Sequence, residues 1–166
     1  MGSLEQQPPE LSPAATAVEV EVVSGVTNEL LDAIRGLTPE LASVNQVEVT
    51  DEWIKKIVDS DSSTLLAAKD PEGEYRGFAV LVVFPTIVNP RGLVETLVTD
   101  PLYRRQGVAE KLIRSALKVA GDKKVNTVRL STGKDNAASN ALFQKLGGVL
   151  EHEYNWYDFS LSEGPQ

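Results

Sequence analysis

Hydrophobic positions recur along this chain with two different periods, one typical of strands and one typical of helices. Valine alternates with glutamate over residues 18–23, which is typical of a strand. Over residues 27–41 the apolar positions recur at helical spacing, so a helix is predicted there, broken near Pro39. A second helix begins at Thr50, a cap residue followed by acids, and its apolar side includes Trp53.

The central and C-terminal parts of the chain continue this alternation of elements. We predict strands at 64–68, 77–84 and 93–99, a helix at 107–120, a strand at 125–130, a helix at 136–146, and short strands at 149–150 and 154–161. Gly121 and the pair Gly147–Gly148 are expected to end the two helices. The order predicts one mixed α/β domain over residues 18–162, preceded by a flexible N-terminal tail at 1–17.

Composition narrows the classes of protein. With 166 residues and 42% hydrophobic positions, the chain can form a sizeable core. The absence of cysteine excludes disulfides, thiolate metal sites and a cysteine nucleophile. No run of 18 apolar residues and no secretory signal are visible, so we expect a soluble, cytoplasmic protein without a membrane partner.

Charge is distributed unevenly along the chain. The net charge of −8 argues against nucleic acid as a partner. Residues 1–75 carry a net charge of −11, whereas residues 76–166 carry +3. Half of the 16 basic residues lie between positions 104 and 129: Arg104, Arg105, Lys111, Arg114, Lys118, Lys123, Lys124 and Arg129. Such a cluster suggests affinity for a particular anion, although a solvated helix face is an equally ordinary interpretation.

The turn between the strand at 93–99 and the next helix has the features of an anion site. Free N–H groups at a helix start, together with the helix dipole, attract phosphate groups. Gly107 lacks the Cβ that would obstruct a phosphate near the backbone, Ala109 keeps the first turn small, and Arg104 and Arg105 add positive charge. The spacing suits a pyrophosphate, and an ordinary strand-to-helix turn is the alternative. Neither a Walker loop nor a dinucleotide-binding glycine pattern is present.

A second pattern follows about 30 residues later in the capped helix at 136–146. By itself it is an ordinary helix with a glycine stop. Together with the turn, it resembles the GNAT superfamily of acyl-CoA-dependent N-acyltransferases, most closely the stand-alone small acetyltransferases. The first motif falls on Arg104, Gly107 and Ala109, and the second on Asn136, Ser139, Phe143, Lys145 and Gly147.

The resemblance implies a fold and a ligand. The fold would be α/β (α+β), with a central mixed, mostly antiparallel and splayed sheet of roughly six to seven strands flanked by about four helices. The donor would be acetyl-CoA, with the pantetheine arm along the strand backbone and the pyrophosphate on the loop. The cofactor-binding residues would be Leu97, Val98, Thr99, Arg104, Arg105, Gln106, Gly107, Val108, Ala109, Asn136 and Phe143.

Two catalytic residues are expected on the same basis. Glu95 interrupts an apolar row of its strand, at a point where many relatives have a glutamate that accepts the proton of the amine. A solvated glutamate at a strand bulge is the alternative. Phe143 stands where relatives often have the tyrosine that protonates the leaving thiolate. Either another group, for which Tyr154 is the candidate, gives this proton, or the thiolate leaves with help from water and backbone dipoles. A packed aromatic residue is the alternative for Tyr154. His152 is expected to be an exposed strand residue, and Trp53 and Trp156 core residues or walls of an acceptor pocket.

These inferences lead to a function. The chain is expected to transfer an acetyl group from acetyl-CoA to a primary amine of a small molecule, by direct attack in a ternary complex and without a metal. Glu48, Asp51 and other early acids could attract a cationic amine, or could be a solvated face. Acetylation of a protein or peptide, a non-catalytic acyl-CoA sensor and a plain interaction domain remain alternatives. A homodimer is possible.

Overall fold

Strands that are neighbours in sequence are also neighbours in the sheet. The computed structural model describes residues 18–41 and 48–151. Within them, one five-stranded sheet has the order β1-β2-β3-β4-β5, formed by Glu19–Val22, Ser63–Lys69, Tyr75–Phe84, Arg91–Thr99 and Val128–Leu130. The first four strands pair antiparallel, and β5 pairs parallel with β4. The predicted mixed, mostly antiparallel sheet is confirmed for these five strands.

The helices begin at the cap residues that the sequence indicates. The α-helices are α1 (Asn28–Leu37), α2 (Asp51–Val58), α3 (Val108–Asp122) and α4 (Ala137–Lys145), with short 3-10 helices at Thr38–Glu40 and Pro101–Tyr103. The side chains of Thr27, Thr50 and Asn136 accept hydrogen bonds from the first turns of α1, α2 and α4. Pro39 lies in the 3-10 helix that follows α1, so the predicted break at Pro39 is confirmed.

Helices cover both faces of the sheet, and each face has its own core. On one face, α3 packs through Val108, Leu112 and Ala116. On the other face, α1 and α2 pack through buried Leu30, Leu31 and Ile54. The interior strand β2 is therefore covered on both faces, which explains its unbroken run of buried residues from Thr64 to Ala68.

A β-bulge and an early strand end shape the region between β4 and β5. In the pairing of β3 with β4, Val80 lies opposite Thr96 and Leu81 lies opposite Val94, so Glu95 is the additional residue of the bulge. Strand β5 pairs with β4 only over Gly92–Val94. Among the described residues, β4 therefore continues without a partner on its outer edge, which agrees with the expected splay of the sheet.

The structure corrects several predicted boundaries. Helix α3 runs through Gly121 to Asp122, and Lys124 takes the left-handed conformation (φ 59°) that was expected of a glycine. The end is set by tertiary packing, because Val125 donates its N–H to the Ala120 carbonyl (2.9 Å) and packs against the α3 core. Strand β5 accordingly begins only at Val128.

One further prediction was wrong, one is narrowed, and others lie outside the described residues. Trp53 is 59% exposed and is therefore not a core residue, and the Lys56 ammonium lies 5.1 Å from its ring centre. A wall of an acceptor pocket stays the prediction for Trp53. Val149 and Leu150 form no strand, since both are exposed after the glycine turn that ends α4. Other predictions concern the N-terminal tail, His152, and the strand at 154–161 with Tyr154 and Trp156, and all of these lie outside the described residues. None of the helices in residues 18–41 and 48–151 is long and apolar enough to cross a membrane.

Candidate active site

The open edge of β4 presents backbone groups of known direction. Asp100 donates its N–H to the Arg76 carbonyl (2.9 Å), so the backbone groups of Asp100 point toward β3. Because successive residues of a strand present their groups to alternate edges, those of Val98 also point toward β3. The N–H and C=O groups of Leu97 and Thr99 point to the open edge. An extended ligand with amide groups can therefore pair there as an additional strand would.

Glu95 lies at the bulge, just before this open edge. Its side chain is exposed, whereas its neighbour Val94 is buried in the core beneath α3 and Leu97 packs against the same core. The alternative given for this residue, a solvated glutamate at a strand bulge, matches the structure. The role of Glu95 as a base stays a prediction.

The loop that joins β4 to α3 has an unusual backbone. Arg105 has φ 62° and Gly107 has φ 81°, so two left-handed residues are separated by only one position. Gly107 immediately precedes α3, and its carbonyl accepts the first helical hydrogen bond, from Lys111 N–H (3.0 Å). The N–H groups of the residues in between have no helical acceptor. Such a concave set of N–H groups at a helix start is suited to an anion.

Side chains around this loop are partly engaged with other protein groups. The Arg104 guanidinium pairs with the carboxylate of Glu40 (2.5 Å), which lies on the 3-10 helix after α1. Gln106 donates its side-chain N–H to the Leu102 carbonyl (3.0 Å). Arg105 is exposed. An anion at the loop therefore meets the backbone and Arg105 directly, and competes with Glu40 for Arg104.

The basic cluster of residues 104–129 is divided by the fold. Lys111 donates to the Val18 carbonyl, at the entry to β1. Lys123 donates to the Asp61 carbonyl (3.1 Å), just before β2. Arg114 bonds to Glu110 on its own helix. These three cations therefore make contacts within the protein, and the affinity of the cluster for an anion stays a prediction.

Helix α4 follows β5 and has little apolar support. It begins at the cap residue Asn136, which accepts from Ser139 N–H (3.1 Å), and none of its residues is buried. The predicted end of this helix at Gly147–Gly148 is confirmed, because Gly147 is left-handed (φ 87°) and Gly148 donates its N–H to the Phe143 carbonyl (2.9 Å).

An ion pair joins α4 to the first turn of α3. The Lys145 ammonium lies 2.8 Å from the carboxylate of Glu110, which is only 5% exposed and also receives the Arg114 guanidinium (2.9 Å). Burial alone raises the pKa of Glu110, but the hydrogen bonds from Lys145 and Arg114 outweigh burial, so the pKa is lowered from its ordinary value. Sequence analysis missed Glu110, although its spacing of four residues from Arg114 is a visible pairing signal.

A separate cleft of about 570 Å³ lies between the end of α1 and the start of α2. Its lining includes Glu48 and Asp51, two of the acids considered for attracting an amine. Asp51 is paired with Arg35, which lines the same cleft. The acidic character of this cleft is therefore partly neutralised within the protein.

Comparisons with known proteins agree with this arrangement. The sequence profile of the Acetyltransferase (GNAT) family matches residues 28–148. Human N-acetyltransferase 8 is 36% identical over 63 residues, a segment that spans 38% of this chain and 28% of the human protein. The chain thus matches little more than a quarter of the length of that curated relative.

Solved structures share the fold at low sequence identity. An aminoglycoside acetyltransferase from an uncultured soil metagenomic sample, in complex with trehalose, superposes with a TM-score of 0.74 at 16% identity, covering 87% of this chain and 97% of the other. The acetyltransferase AAC(6')-Iy, in complex with a bisubstrate analog of CoA, has a TM-score of 0.69 at 19% identity, covering 87% and 99%. At these identities the likeness shows the fold.

Proposed function

The chain belongs to the acetyltransferase (GNAT) family, and from this premise we propose that it transfers an acetyl group from acetyl-CoA to a primary amine of a small molecule. One observation carries the proposal. Within residues 18–41 and 48–151, the edge of β4 at Leu97 and Thr99 has no partner strand, and it leads directly into the N–H-lined loop before α3. A long ligand with amide groups at one end and a pyrophosphate at the other fits this path, because its amides can pair with the strand edge while its pyrophosphate meets the N–H groups of the loop.

The cofactor would lie along this path. The pantetheine amides pair with the β4 backbone over Leu97–Thr99, and the N–H groups of 105–109 hold the pyrophosphate. Arg104 and Arg105 supply positive charge, with Gln106 and Val108 shaping the loop. Asn136 and Phe143 on α4 would border the pantetheine from the other side. A neighbour of known structure was solved in complex with CoA, which supports this donor.

The reaction would proceed by direct attack in a ternary complex. Glu95 accepts a proton from the ammonium group of the acceptor, directly or through water, and the free amine attacks the thioester carbon. The Leu97 N–H stabilises the oxyanion of the tetrahedral intermediate, whose collapse breaks the C–S bond and releases the CoA thiolate. The thiolate then takes a proton from Tyr154, the proposed donor because Phe143 has no hydroxyl group. The attacking nitrogen still carries one surplus proton, which passes through water to the tyrosinate, so that a neutral amide and a neutral thiol are formed and Glu95 releases its own proton to solvent.

A small-molecule acceptor is supported by the solved neighbours that are described as aminoglycoside acetyltransferases. A non-catalytic acyl-CoA sensor is the second candidate, and Phe143 at the usual tyrosine position is the observation that favours it. The two candidates share the cofactor site and differ in turnover.

The test combines binding with turnover. Calorimetric titration with acetyl-CoA and with CoA should show micromolar affinity, and a panel of amines, polyamines and peptides should then be screened for CoA release. In Glu95→Gln, kcat/KM should fall about 100-fold, because the general base is removed, while the Kd for CoA stays unchanged. Glu19→Gln on β1, also an exposed strand glutamate, is the matched control and should retain full activity.

Three results would contradict parts of this proposal. If the folded protein does not bind CoA, the proposed acyltransferase function is excluded. Binding without turnover of any amine favours the sensor. Full activity of Glu95→Gln leaves the function in place but excludes Glu95 as the base.

A further inference from the structure

A buried carboxylate at the end of β2 collects four hydrogen bonds. The Asp70 side chain is 2% exposed. Its Oδ2 atom accepts from Arg76 Nε (2.7 Å) and from the Tyr103 hydroxyl group (3.1 Å). Its Oδ1 atom accepts from the N–H groups of Glu72 (3.1 Å) and Glu74 (2.9 Å) in the β2–β3 turn. Both oxygens are therefore fully used, as a buried charge requires.

Arg76 extends this network to the end of β4. Its Nη1 atom lies 3.3 Å from Oδ2 of Asp100, and its guanidinium carbon lies 4.4 Å from the centre of the Tyr103 ring. The other oxygen of Asp100 accepts from Leu102 N–H (2.9 Å) and so caps the 3-10 helix. We call the four side chains Asp70, Arg76, Asp100 and Tyr103 the clamp.

The protonation states of the clamp suit these bonds. Burial alone raises the pKa of Asp70, but the hydrogen bonds from Arg76, Glu74 and Tyr103 outweigh it and lower the pKa from its ordinary value. Burial and the hydrogen bond to Asp70 raise the pKa of the Tyr103 hydroxyl group. At neutral pH the carboxylate is therefore charged, and the hydroxyl group keeps the proton that it donates.

The clamp ends where the anion loop begins. Tyr103 is followed directly by residues 104–107, in which Arg105 has φ 62°. A left-handed conformation disfavours a residue with a Cβ by about 1–2 kcal/mol, and it persists where the surrounding structure holds it. On the C-terminal side the loop is held by Val108, which is 1% exposed in the α3 core. On the N-terminal side it is held by the clamp.

We propose that the clamp positions the loop of residues 104–107 for the pyrophosphate of CoA. Its members act through the loop backbone, since the carboxylate oxygens of Asp70 and Asp100 and the Tyr103 hydroxyl group are already bonded within the protein. This inference rests on the proposed cofactor site. It assigns to Asp70, Arg76, Asp100 and Tyr103 a role in affinity for the donor that is separate from their contribution to stability.

Two conservative variants test the role. Tyr103→Phe keeps the ring beside Arg76 and removes the hydrogen bond to Asp70, and Arg76→Lys keeps the charge but cannot bridge both carboxylates with a planar fork. Each should raise the Kd for CoA about tenfold, because the loop must then be ordered by the ligand. The kcat at saturating acetyl-CoA should stay within about twofold of wild type, since the reacting groups are untouched.

The matched control is Leu30→Val, which removes volume from the opposite core, beneath α1. It should lower the unfolding temperature and leave the Kd for CoA unchanged. Pantetheine, which lacks the pyrophosphate, is the second probe, and its weaker binding should be equal in wild type and in both clamp variants.

The outcomes separate the inference from the function on which it rests. If the clamp variants unfold at lower temperature but bind CoA with wild-type Kd, the clamp is structural only and the inference is overturned. An equal loss of affinity for pantetheine and for CoA would also overturn it, because the effect would then not act at the pyrophosphate. Absence of CoA binding by the wild-type protein would remove both the proposed function and the clamp's role.

Discussion

Replacing Gly107 by alanine tests the anion loop with a single methyl group. Gly107 has φ 81° and immediately precedes α3, so the substitution places a Cβ on a left-handed residue at the point where a phosphate would approach the backbone. Gly121 provides the matched control. It lies inside α3, is exposed, and an added Cβ would meet no atom within 4 Å.

The two substitutions should change stability in opposite directions. At Gly107 the left-handed conformation disfavours alanine by about 1–2 kcal/mol. At Gly121 alanine should increase the free energy of unfolding by about 0.5–1 kcal/mol, because alanine loses less backbone entropy in a helix. Hydrogen bonds to a charged ligand contribute about 1.5–3 kcal/mol each, so the loss of one N–H contact at Gly107 should raise the Kd for CoA at least tenfold.

Denaturant unfolding and calorimetric titration of CoA measure both quantities on the same samples. We expect Gly107→Ala to be folded, less stable and weak in binding, and Gly121→Ala to be more stable with wild-type affinity. A folded Gly107→Ala variant that binds CoA as tightly as wild type would refute the assignment of the pyrophosphate to this loop. Loss of stability in Gly121→Ala would refute the description of α3 as continuous through Gly121.

Three further perturbations address packing, pH and the position of α4. Gly77→Ala places a Cβ 2.7 Å from the Val98 carbonyl oxygen and should lower the free energy of unfolding by about 1–3 kcal/mol, measured with denaturant. The pKa of Glu110 is lowered in the folded state because the hydrogen bonds from Lys145 and Arg114 outweigh burial. The ionised Glu110 therefore contributes its full stabilisation of the fold above the unfolded pKa of 4.5, and this contribution is lost as the pH falls through the folded pKa. Between pH 7 and pH 3, the free energy of unfolding of Glu110→Gln should accordingly change less with pH than that of the wild type. Lys145→Met should accelerate hydrogen exchange in α4 and leave exchange in the sheet unchanged, since the ion pair with Glu110 joins α4 to α3.

Local signals made the order of elements predictable. Thr27, Thr50 and Asn136 were recognisable as caps because a side-chain oxygen three residues before a free N–H needs no distant partner. The hairpin between β2 and β3 followed from its turn residues, including Gly73 with φ 88°. Elements whose limits depend on packing were less predictable, as the end of α3 beyond Gly121 shows.

In the candidate site, too, the features that depend on local sequence were predictable and those that depend on distant contacts were not. The spacing of Arg104, Gly107 and Ala109 was sufficient to locate the loop at the start of α3, and its affinity for an anion stays a prediction. Glu95 was recognisable as a polar interruption of an apolar strand. The pairing of Arg104 with Glu40 was not predictable, because 64 positions separate these residues in the chain. Nothing local distinguishes a solvated arginine from one held by a distant carboxylate.

The sequence by itself determined the order of α1 to α4 and β1 to β5, the helix caps and the position of the loop, since these depend on periodicity and on interactions within a few residues. Only the tertiary structure decided that β5 stops pairing at Leu130 and leaves the edge of β4 open. It also decided that Asp70 meets Tyr103 across 33 positions and that Lys145 meets Glu110 across 35. Such contacts depend on how the sheet twists and where the helices pack. A buried charged group needs a partner close to it in the folded structure, and that partner can lie far away in the sequence.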